Sequence, residues 1–157
     1  MADSKLQKQF RHEVEHLQVQ MQEKANGIDV VVGTKENPIV TDSDLIPIKH
    51  YFMDGVYVRE MIMKKGIAVV GAIHKHLHMC FLLTGRITVI NEEETIDHIA
   101  PCFIISKPGV KRVLYAHEDS MWFNTHKNPT NTEDIKQLEK DIVAITYEEY
   151  DEYIKNK

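Results

Sequence analysis

Apolar positions along this chain change their period twice. Near the N-terminus Leu6, Phe10, Val14, Leu17 and Met21 step by four, four, three and four, which keeps them on one face of a helix. That predicts a helix over residues 4–26, with Asp3 or Ser4 able to cap its start and Gly27 following its end. Residues 28–49 alternate short apolar pieces with turn residues, among them Gly33, Asn37-Pro38 and Asp42. Over residues 47–126 the pattern shortens to about eight strand-like runs rich in branched and aromatic side chains. Turns such as Asp54-Gly55, Lys65-Gly66 and Pro108-Gly109 separate them. Strands at that density, with no helix between them, predict a sandwich or barrel. The helical period then returns: Thr130 and Glu133 read as a capping box for a helix to about residue 144, and the acidic tail beyond is predicted helical too. The chain thus divides into an N-terminal helix (residues 1–27), a β-domain (28–128) and a C-terminal helical segment (129–157).

With 157 residues, 43% apolar and 27% charged, the chain can bury one real core and is not of disordered composition. No apolar run approaches the ~18–20 residues that span a bilayer, so no membrane partner is expected. The first ten residues, MADSKLQKQF, lack the apolar core of a secretion signal. Cys80 and Cys102 form no spacing pattern and sit in apolar surroundings; they read as buried reduced thiols, which points to the cytoplasm. The formal charge of −5 argues against a nucleic-acid polymer as partner. It is unevenly spread: residues 1–60 carry 7 basic and 10 acidic side chains, 61–128 carry 8 and 6, and 129–157 carry 4 and 8. The one positive segment is the β-rich one, which suits a small anion.

That segment also holds the chemistry. Residues 66–85, GIAVVGAIHKHLHMCFLLTG, place His74, His76 and His78 at alternate positions inside a strand-like run. Alternate side chains of a strand share a face, so the three rings are predicted to point the same way, either into a ligand or metal site or as structural and surface histidines. Further along, Lys111, Tyr115 and His117 share one strand parity and Arg112 the other, so all four cannot face one cavity without a bulge. Arg112 offers a planar donor fork suited to phosphate or carboxylate. Lys111 reads equally as a solvated turn lysine, and His117, beside Glu118 and Asp119, as part of a polar hairpin loop. Trp122 is either a core residue or a stacking surface, and it shares its parity with Asn124 and His126.

The glycine-bounded histidine segment resembles the first motif of the cupin barrel, in which a Gly is followed by His-x-His, a Glu and a closing Gly. Gly66 and Gly85 take the glycine positions and His74 the second histidine; Ala72 stands at the first and His78 at the Glu. A second motif, aligned on Gly109, puts Arg112 at the family's third histidine and Ala116 at its asparagine. The resemblance spans residues 45–128 and extends to small cupin-like proteins often encoded by tailed phages. It implies a mainly β, jelly-roll type barrel with helices at both ends, a site with His74, His78 and Arg112 facing inward, and a homodimer. A phage origin would place it in the host cytoplasm, where such a protein could sequester a host signal.

The expected function is capture of a small anionic ligand, a phosphorylated sugar or nucleotide-like molecule, by His74, His76, His78, Lys111, Arg112, Tyr115, His117, Trp122 and His126. No cofactor is favoured, because only His74 and His78 match ligand positions and the Arg112 guanidinium repels a cation. A divalent transition metal stays open, with His117 or His126 as substitute ligands. The alternative is a cupin enzyme that uses histidines as metal ligands, or uses His74 and His126 as general acid and base.

Overall fold

A computed structural model describes residues 4–26 and 45–157. The alternative cap Asp3, Gly27 and the turn-rich residues 28–44 lie outside the described residues.

Helix α1 (Lys5–Glu23) starts at Ser4, whose hydroxyl accepts from the Gln7 amide while the Gln7 side chain returns to the Ser4 amide. Of its apolar stripe only the middle is buried. Val14, with Phe10 beside it, packs on Ile73, Ala144 and Tyr147, whereas Leu6 is exposed.

Among the described residues eleven strands follow: β1 (Ile48–Met53), β2 (Val56–Met63), β3 (Ala68–Val70), β4 (Ile73–His74), β5 (His78–Thr84), β6 (Arg86–Ile90), β7 (Thr95–Ile99), β8 (Cys102–Ser106), β9 (Val113–Ala116), β10 (Ser120–Lys127) and β11 (Val143–Ala144). One sheet has the order β1-β2-β10-β5-β8, a second β3-β9-β6-β7, and β4 pairs with β11. The two larger sheets enclose one apolar core. Met63, Cys80, Leu82 and Trp122 come from the first sheet; Ile87, Val89, Leu114 and Ala116 come from the second. Alternation supplies the inward residues: β10 buries Ser120, Trp122, Asn124 and His126 and turns the residues between them outward. The architecture is the jelly-roll type expected, but among the described residues no ladder joins the two larger sheets, so the barrel is open.

Gly66, Gly85 and Gly109 sit where the chain leaves the first sheet for the second, each with φ near +85°. Gly85 is the tightest. A Cβ there would collide with the Ser120 hydroxyl and lie 2.5 Å from the Asp119 carbonyl oxygen, whereas one at Gly55 (φ +74°) meets nothing within 4 Å. Gly55→Ala is therefore expected to cost about 1–2 kcal/mol, from the left-handed backbone alone. Gly85→Ala should cost at least about 1 kcal/mol more, because backbone must also move; urea denaturation of the two variants measures the difference.

The C-terminal segment departs from the sequence expectation at its start. Helix α2 (Ile135–Ile142) is capped by Asp134, whose carboxylate accepts from the Lys136 and Gln137 amides, and not by Thr130. A carboxylate one residue before the first helical turn reaches those amides directly; Thr130 lies too far upstream. The helix ends at Ile142 because Val143 and Ala144 extend to pair with His74 and Ile73. Helix α3 (Tyr147–Lys155) then begins at a Thr146 cap.

Candidate functional site

The run of residues 66–85 is not one strand. It bends at residues 75–77, where the Lys75 amide donates to the Ile142 carbonyl. The bend splits the predicted histidine triplet. His74 ends β4 and His78 opens β5, and both turn inward. His76 turns out, its Nε2 3.1 Å from the Asp141 carbonyl oxygen and its ring edge-on to Tyr153. The expectation that all three share a face is corrected here, because alternation holds only while the strand is unbroken.

The third imidazole is His126. The ladder that pairs Thr125 with Met79 carries it up beside His78. Ring centroids lie 4.1 Å apart for His74 and His78, 4.6 Å for His78 and His126, and 5.2 Å for His74 and His126. One ring nitrogen from each falls within 4.8 Å of the other two. His78 Nδ1 lies 3.2 Å from the His76 carbonyl oxygen; a carbonyl only accepts, so Nδ1 carries the proton and Nε2 keeps its lone pair. The buried Nε2 atoms of His78 and His126 have no hydrogen-bond partner among the described residues.

All three rings are held neutral. Burial brings His78 down to about 4 and His126 to about 2, and lowers His74 well below its ordinary value. Neighbouring positive charge adds to this: Arg59 acts on all three rings, and Arg112 on His74 and His78. The two arginines differ in their partners. Arg59 Nη1 meets the Glu139 carboxylate at 3.1 Å, with both side chains largely buried. Arg112 is 8% exposed and donates through Nη1 to the Ser106 hydroxyl at 2.7 Å. No carboxylate pairs with it among the described residues.

Beside the cluster lies a cavity of about 240 Å³. Its polar lining includes His74, Arg59, Glu139, Arg112 and Asn124; Ile48, Met61, Val69, Val70 and Leu114 make the rest mainly apolar. Gln18, Met21 and Gln22 of α1 form part of its wall.

Of the residues singled out from sequence, His74, His78, His126, Arg112 and Trp122 come together here. Trp122 is both core and cavity wall. Lys111 is buried elsewhere, its ammonium donating to the Ile145 carbonyl at 2.9 Å. Tyr115 is 41% exposed on the outer face of β9, edge-on to His117. His117 Nε2 lies 2.6 Å from the Thr88 hydroxyl, which also donates to Asp97. Lys111, Tyr115, His117 and His76 therefore do not reach the cavity; for Tyr115 the reason is strand parity, since Leu114 and Ala116 are the inward residues of β9. Sequence reasoning passed over Arg59 and Glu139. The signal for Glu139 was its place among Ile135, Leu138 and Ile142 on the buried face of α2.

No protein-family model matches this chain, and no curated protein does. Solved structures do. A salicylate 1,2-dioxygenase from Pseudaminobacter salicylatoxidans superposes with a TM-score of 0.52 at 12% identity, over 78% of this chain and 34% of that one. An RmlC-like cupin from Shewanella frigidimarina gives 0.49 at 14% identity, over 60% and 83%. KdgF from Halomonas sp. gives 0.49 at 13% identity, over 55% and 83%. The fold is that of the cupins.

Proposed function

We propose that this chain is a metal-binding protein of cupin fold, in which His74, His78 and His126 hold one divalent transition metal and the adjoining cavity receives a small organic anion. The observation that carries this reading is the convergence of three neutral imidazoles, two with a buried Nε2 that has no partner among the described residues. Leaving such groups unsatisfied is costly, and a cation shared by the three imidazoles would satisfy them. The donors suit such an ion, since imidazole nitrogens bind zinc, iron, nickel and copper at about 2.0–2.1 Å. Nitrogens on one such ion lie about 3–4 Å apart, so the span of 4.8 Å would contract by about 1 Å on loading. The bond from His78 Nδ1 to the His76 carbonyl is the kind of second contact that orients a metal-binding ring.

His126 changes the balance against a metal that two histidine positions and an arginine suggest. The positive charge of Arg112 then favours an anion in the cavity beside the ion rather than excluding the ion. A metal bound by three imidazoles keeps an open position at which it can act as a Lewis acid or activate a bound oxygen ligand. Arg112 would hold the anion, and the apolar lining would keep bulk water away.

The test is a titration of chelator-stripped, buffer-exchanged protein with Zn²⁺ and with Co²⁺, followed by calorimetry and by the visible spectrum of cobalt. One equivalent per chain with a tetrahedral or five-coordinate cobalt spectrum is expected. No saturable uptake of zinc, cobalt, iron or nickel would end the reading.

A further inference from the structure

Arg112 sets the charge of the ligand, and a neighbour sets more. β10 brings Asn124 to the same cavity. Two donors pin its carboxamide: Trp122 Nε1–H reaches Oδ1 at 3.1 Å, and the Cys80 thiol reaches the same oxygen at 3.2 Å. An indole N–H can only donate, so the atom facing it is oxygen and the amide orientation is determined. The oxygen is thereby committed to the core. The Nδ2 group has no acceptor among the described residues, and the residue that carries it lines the cavity.

Arg112 and Asn124 both present donors only. Arg59 is paired with Glu139, whereas Arg112 has no carboxylate bonded to it among the described residues and is the cation free to meet an anion. A phosphate brings more acceptor oxygens than the donors of these two groups match. A cavity of about 240 Å³, below the ~300–1,000 Å³ usual for drug-sized ligands, suits a small ligand. Much of the rest of the wall is apolar, Ile48, Met61, Val69, Val70 and Leu114 among it, which suits an apolar body.

We infer that the ligand is a small monocarboxylate with an apolar body, its carboxylate held by Arg112 and by Nδ2 of Asn124. Asn124 is then a specificity residue: its pinned oxygen prevents the amide from turning to accept, so a ligand with a donor at that point is refused. The inference names the anion of the function proposed above and rests on the anion half of that reading, not on the metal.

Calorimetry on the full chain, stripped of metal and then loaded with zinc, with hexanoate, benzoate and pyruvate tests it, against inorganic phosphate and glucose 6-phosphate as controls. At least one monocarboxylate should bind saturably and more tightly than either phosphate, and benzamide should bind at least tenfold more weakly than benzoate if benzoate is the one. Arg112→Ala should weaken that carboxylate roughly thirtyfold or more. Asn124→Asp keeps an oxygen for Trp122 and Cys80 but replaces the donors with negative charge, and should weaken it roughly tenfold or more; Asn124→Leu should lose affinity as well. Thermal melts establish that each variant is folded, and the comparison of carboxylates with phosphates on the unaltered protein stands without any variant. Binding of none of the three acids, tighter binding of phosphate, or folded Asn124 variants that bind like the parent would each overturn the inference. Zinc uptake without carboxylate binding would sink this inference alone; carboxylate binding without zinc uptake would sink the metal centre alone.

Discussion

Replacing His126 with alanine is expected to lower the affinity for Zn²⁺ or Co²⁺ more than about a hundredfold, while His76→Ala leaves it unchanged. Losing a residue that merely orients a ligand costs about 10–100-fold, so losing one of three direct donors costs more. His76 is the internal control, because it neighbours the cluster in sequence and its ring turns away to Asp141 and Tyr153. Its backbone carbonyl, the part that touches His78, survives the substitution. Competition titrations with a coloured chelator read both affinities. Equal losses for the two variants would mean that the ion, if bound, sits on the exposed side of the bend and not inside the barrel.

A second large effect is expected on acidification of the metal-free protein. His74, His78 and His126 each have a folded-state pKa below the ordinary imidazole value of 6.5. Below pH 6.5 the unfolded chain therefore binds protons that the folded chain refuses, and stability falls as the pH falls. The slope is about 1.4 kcal/mol per pH unit for each such ring. For His78, whose window runs from 6.5 to about 4, that amounts to about 3 kcal/mol on its own, a sizeable share of the ~5–15 kcal/mol of a typical domain. Glu139 works the other way. Burial raises its carboxyl, so the folded state takes its proton first and recovers some stability on acidification, but it is one group against three. Urea denaturation at pH 7, 6 and 5 in the presence of a chelator should show a steep decline, shallower in His78→Gln. A flat profile would mean that the rings take up protons in the folded state and are not desolvated.

The strand and helix periods were legible from side-chain spacing alone, because they are local; parity put Arg112 and Lys111 on opposite faces, and the choice of Arg112 for the interior came from the resemblance to the second cupin motif. The bend at residues 75–77 was not. His-x-His-x-His alternates as a continuous strand does, and what interrupts it is pairing with Val143 and Ala144, nearly seventy residues downstream. The convergence of His126 on His78 likewise depends on the register of β10 against β5, which parity can orient but not align. Glu139 was hidden for a related reason. Its helix is charged enough to read as a solvated surface, and its partner Arg59 lies eighty residues away. Thr130 was preferred as a cap because a Glu follows it by three, while the structure uses the nearer carboxylate of Asp134.

The Arg59–Glu139 pair ties together parts of the chain that a reading by segments keeps apart. Glu139 comes from α2, beyond the last strand of the large sheet, and its helix packs Leu138 and Ile142 against Tyr57. Without that helix Arg59 would be a lone cation in the wall of the cavity, a change of the kind that costs about 3–5 kcal/mol. It would also face the proposed metal site with nothing to offset it. The tail after the barrel is thus a counter-ion carrier, and its length and phase are under the same constraint as the histidines. An insertion of one residue between Lys127 and Ile135 could be absorbed in the loop, but one between Ile135 and Glu139 would swing the carboxylate by about 100° around the helix and take it out of reach of Arg59.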